Sequence, residues 1–190
     1  VSVPPILAAV RAATAPLHDA VEAEAGLEAR LRDPLLRPVV VADLLAFHRA
    51  AEAAVSPWAD AVAAEGLTPA PQTRALQAAL SDMRADAPDP VTRAPAPTLG
   101  EALGWLYVVE GSMLGGRVMQ KAMIRDGIDQ QGLGFLDPWG DETGSRWRAL
   151  ISAMESACAS GRAAGADIVK GGVDAFSLAH KLLTPVRTTA

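Results

Sequence analysis

The chain has 190 residues and a formal charge of −5, from 17 Lys and Arg against 22 Asp and Glu. That balance argues against general nucleic-acid binding, which wants a basic face, while 4% aromatic residues and scarce β-branched runs favour helices over sheets. The length suits one domain spanning 1–190 with a sizeable core, and a single cysteine, Cys158, excludes an internal disulfide and has no neighbours at metal-ligand spacing.

Helical periodicity predicts a first helix from Ile6 to Arg30. Pro16 interrupts it, so a break or kink is expected just before His18, with Thr14 placed to cap a new segment. A second helix is expected from Val40 to Glu65 and a third from Thr73 to Asp86. The stretch "APDPVTRAPAPT" at 87–98 holds four prolines and reads as a loop. Thr98 and Glu101 have the spacing of a capping box and mark the start of the next helix, which should stop near Asp126–Gly127. A Gly-, Pro- and Asp-rich connection follows, long enough to be functional. Two more helices, near 144–165 and 167–184, complete an all-α chain. The N-terminal "VSVPPILAAVRAAT" lacks the basic start and long apolar run of a signal peptide. No uncharged apolar run reaches 18 residues, so a soluble protein without membrane association, in a reducing cytoplasm, is the expectation.

The fourth long helix carries the anomaly. Its middle reads "LGWLYVVEGSMLGGRVMQKAM", with Gly111, Gly115 and Gly116 where glycine costs about 0.5–1 kcal/mol each relative to alanine. Gly111 and Gly115 share a helix face. Such a face admits either a neighbouring helix or a flat ligand lying against the backbone. Paired glycines, with polar Glu110 and Ser112 interrupting an apolar helix, lean toward the ligand.

The other feature is "VRAATAPLHDAVEAE", residues 10–24. His18 and Glu22 stand one turn apart, so the carboxylate could hold one ring nitrogen and leave the other for a metal. A lone helical histidine is more often a plain surface or core residue, and His48 and His180 are read that way. No H-x-x-x-H or E-x-x-H pair suits a metal held by protein alone. A bound metal would need another principal ligand, such as a porphyrin.

Together, "TAPLHDAVE" and "YVVEGSMLGG" resemble the bacterial biliverdin-producing haem oxygenases, in particular the branch found beside bacterial phytochromes. The resemblance extends to length, helix order and a last helix bearing Phe176. It implies a single-domain compact helical bundle that clamps haem b, both cofactor and substrate, between the first helix and a glycine-rich distal helix. By the same resemblance His18 matches the iron ligand and Glu22 the acid behind it, and Arg11 meets a propionate. Gly111, Gly115 and Gly116 lie against the haem face, and Ser112 stands where other members carry an aspartate. Lys170, Lys181 and Arg117 are candidates on charge alone for the second propionate. The implied activity is oxidation of haem by dioxygen to biliverdin, ferrous iron and carbon monoxide, with electrons from a ferredoxin, flavodoxin or reductase and a phytochrome as acceptor of the product. The rival is a haem carrier or sensor that does not consume its ligand. A nucleophilic enzyme on a similar scaffold would have to use Cys158, which sits in no recognisable motif.

Overall fold

The structure, a computed structural model, describes residues 4–89 and 93–185. Among them there is no strand. The elements are α1 (Pro5–Ala25), α2 (Leu27–Arg32), α3 (Arg37–Val55), α4 (Ala59–Ala64), α5 (Thr73–Asp82), α6 (Leu99–Arg125), α7 (Thr143–Ala159) and α8 (Gly165–Leu183). Single 3-10 turns lie at 56–58, 134–136 and 140–142. No helix among the described residues is long and apolar enough to cross a membrane.

Several expected boundaries shift. The first helix ends at Ala25, because Gly26 adopts a left-handed conformation at φ +56° and restarts the chain as α2. The second divides at Val55 into α3, a 3-10 turn over Ser56–Trp58 and α4. The expected break at Pro16 does not occur: α1 runs through it. Thr14 is no cap, since its buried hydroxyl donates to the Val10 carbonyl at 2.8 Å, one turn back. The proline removes one helical hydrogen bond, to the carbonyl of Ala12, and Ala12 is exposed to solvent. Thr98 does cap α6, its Oγ1 accepting the Glu101 N–H at 3.1 Å. The reciprocal half of the box is not made, and the Glu101 carboxylate accepts instead from Lys170 at 3.1 Å.

α6 runs through the middle of the molecule, packed on α8, α7 and α3, while α1 lies on α8. Every residue from Glu101 to Glu110 is buried, and the helix then emerges toward solvent at Gly111–Gly115. The seam of small residues that glycine spacing foreshadows exists, but about two to three turns earlier. A Cβ at Gly104 would overlap the Ile168 carbonyl, and one at Gly171 would overlap the Glu101 carbonyl. The α6 and α8 backbones therefore touch where both lack side chains. Two apolar clusters form the interior, one around Trp105, Leu103 and Met154, the other around Leu45, Leu80 and Met123.

Candidate functional site

A cavity of about 740 Å³ opens where these two clusters meet. Val108 and Met113 of one and Leu31, Phe135 and Leu136 of the other supply its walls. Its volume lies in the range of small-molecule and cofactor sites, and apolar and aromatic side chains dominate its lining.

Every candidate taken from the two motifs borders this space: Arg11, His18 and Glu22 from α1, and Gly111, Ser112, Gly115 and Gly116 from α6. The candidates on charge alone do not. Lys170 is paired with Glu101 and Asp174, each at 3.1 Å. Arg117 is held by Asp141 at 2.7 Å and Asp137 at 3.7 Å. Lys181 is absent from the lining. Arg11 is the one Lys or Arg in the lining and makes no ion pair with the described residues, which leaves its charge for an anion in the cavity.

His18 is half exposed, its ring steadied edge-on by Phe176 of α8 at 5.8 Å between centroids. Glu22 Oε1 lies 3.7 Å from Nε2, and Asp19 Oδ1 lies 3.8 Å from Nδ1. Both distances exceed a hydrogen bond. The expected Glu22 contact is thus a proximity, not a bond, and neither tautomer of the ring is locked. Asp19 brings a second carboxylate that helical spacing did not single out.

The three glycines have different neighbours. A Cβ at Gly116 would stand 2.5 Å from the Leu136 carbonyl oxygen, so that glycine admits the backbone of the 134–136 turn. One at Gly111 would rest on the Trp147 ring at 3.4 Å, an ordinary contact. One at Gly115 would meet nothing within 4 Å. Only Gly115 holds space open on the cavity side without a packing reason. Ser112 is turned back on its own helix, its hydroxyl donating to the Val109 carbonyl at 2.7 Å.

Sequence reading passed over four lining residues that matter. Phe47, Tyr107 and Trp147 supply aromatic walls, with Trp147 tilted against Tyr107 at 5.5 Å. His48 is the fourth, buried at 5% exposure. Burial pushes its ring pKa down from 6.5 to about 4. The unfolded ring protonates near pH 6.5 while the folded ring stays neutral to about 4, so stability should fall as pH drops through that window and be unaffected above it. The full effect is on the order of 3 kcal/mol. Urea unfolding from pH 7 to 4 should show it, and His48→Gln should flatten that part of the profile.

The sequence matches no family model and no curated protein. Among solved structures, the chain is similar to the haem oxygenase of Neisseria meningitidis, determined with nitric oxide and carbon monoxide bound. The TM-score is 0.73 over 92% of this chain and 87% of that one, at 22% identity. The architecture of this chain is the all-α haem oxygenase fold.

Proposed function

We propose that the chain is a haem oxygenase, taking haem b as cofactor and substrate and opening it with dioxygen and reducing equivalents to biliverdin, ferrous iron and carbon monoxide. One observation carries the reading: His18 and the side-chain-free Gly115 border the same apolar cavity. The residues fit a flat apolar group with acidic edges. The missing Cβ at Gly115 leaves a cradle, aromatic and aliphatic side chains surround it, and Arg11 offers a cation that pairs with none of the described residues.

His18 would hold the iron through one ring nitrogen, and Arg11 would meet a propionate. Bound there, haem supplies ferrous iron that binds dioxygen, as a neutral imidazole ligand permits. Asp19 and Glu22 flank the imidazole and favour proton density on its unligated nitrogen, which raises its basicity as a ligand. Gly115 lets the α6 backbone approach the ligand closely and steer attack toward one edge. No carboxylic acid of α6 lines the cavity, and the Ser112 hydroxyl is committed to Val109. Catalysis on this side is therefore positioning more than acid–base strength. Electrons would come from a ferredoxin, flavodoxin or reductase. The branch associated with phytochromes, and a phytochrome as bilin acceptor in a reducing cytoplasm, rest on the sequence motifs.

The test is to load the protein with haemin and add a reductant in air, with catalase present to remove free hydrogen peroxide. Loss of the haem band with formation of biliverdin and carbon monoxide is expected. Haem that persists through reduction and reoxidation would make the chain a carrier or sensor.

A further inference from the structure

A second, smaller space of about 450 Å³ lies beside the first, between α3, α4, α6 and the 68–72 segment. Its lining includes Ala63 and Asp60, exposed on α4, together with Glu52 and Glu110. His48 borders both spaces. Along α6 the division is regular: Leu106, Val109 and Glu110 face the small space, while Tyr107, Val108 and Gly111 face the large one. His48 is the one polar side chain that lines both.

The state of that ring is unusual for a core histidine. It is nine-tenths buried, and burial alone acts on its ring, with no hydrogen bond or charged neighbour among the described residues beside it. A buried polar group without a partner is costly unless water or a ligand completes it. Neither nitrogen is sealed from solvent-sized space in the way the Trp105 indole nitrogen is. The carboxylates nearby have other partners. Glu52 accepts the Thr73 N–H at 2.9 Å, and Glu110 is held by Arg146, with Nε to Oε2 at 3.2 Å. Asp60 is exposed on α4.

We infer that His48 is a proton-transfer residue of the haem site, passing protons from the side groove into the large cavity. The inference rests on the haem oxygenase reading, in which reduction of dioxygen consumes protons and α6 presents no carboxylic acid to the large cavity. The step balances simply. One ring nitrogen accepts a proton from groove water while the other releases its proton to water in the cavity. The ring remains neutral throughout and passes to its other tautomer, and rotation of the ring resets it. A neutral shuttle suits this ring because burial disfavours its charged form.

Two measurements test it. In the haem-free protein, the His48 ring N–H should exchange with solvent too fast to give a sharp proton resonance, and Ala63→Trp, which fills the groove mouth, should slow that exchange. A persistent ring N–H signal in the wild type would mark a sealed core histidine and overturn the inference. In the haem-loaded protein, His48→Gln should slow turnover by at least about tenfold, raise the solvent deuterium isotope effect and change haemin affinity less than about twofold. Ala63→Trp should reproduce the slowing. Unchanged turnover, or slowing without a larger isotope effect, would overturn the inference while leaving the function intact. A wild type that takes up no haemin would overturn the functional reading and this inference with it.

Discussion

Replacing His18 by alanine should weaken haemin binding by about 100-fold and replace the ligand-field spectrum of the ferric complex with that of a water- or hydroxide-ligated haem. The estimate is a floor, because outer-shell partners alone change metal affinity 10- to 100-fold. The fold should survive, since the His18 side chain is half exposed and packs on the edge of Phe176. Added imidazole should restore both affinity and spectrum by occupying the space the ring leaves. Glu22→Gln should do far less, because Glu22 stands 3.7 Å from the ring and shares its influence with Asp19. A ferric spectrum identical in His18→Ala and wild type would remove His18 from the site.

The second large effect separates two adjacent glycines by sign. Gly115→Leu should stabilise the haem-free chain by up to about 1 kcal/mol, since leucine is the better helix former and a Cβ there meets nothing. The same variant should lose most haem turnover or change the biliverdin isomer formed, because its side chain occupies the face that the ligand needs. Gly116→Ala should instead destabilise the haem-free protein by several kcal/mol, as its Cβ would press 2.5 Å from the Leu136 carbonyl oxygen. Thermal unfolding of the two variants beside a turnover assay gives the comparison. Stability purchased at position 115 and lost activity are one fact, the usual exchange at a functional site. Equal destabilisation at both positions would show that Gly115 serves packing as well.

These contrasts also show what one-dimensional reading reaches. Helix order followed from apolar spacing, and the α6 start followed from Thr98, because caps and periodicity are local. The glycine cluster was visible for the same reason. Which neighbour each glycine accommodates was not, since Leu136 and Trp147 arrive from later in the chain. Pro16 misled because its cost to a helix is a local rule, whereas α1 is held by burying Ile6, Leu7, Val10 and Thr14. Thr14 in turn had two acceptable roles, and the Val10 carbonyl one turn back was the acceptor it used. His48 was passed over because nothing in "LLAFHRAAEAA" distinguishes it. Its burial and its place between two spaces are set by α3, α4 and α6 together. Glu22 was singled out beside His18 because their spacing of one helical turn is local, whereas Asp19, equally near the ring, was not.

The claim beneath all of this is that the imidazole of His18 holds the iron across the cavity from Gly115. Resonance Raman spectroscopy of the ferrous haem complex, prepared without dioxygen, tests it most directly. An iron–imidazole stretching band that shifts when histidine is labelled with nitrogen-15 and vanishes in His18→Ala is the expected result. A band that survives in His18→Ala, or none in the wild-type complex, would contradict it.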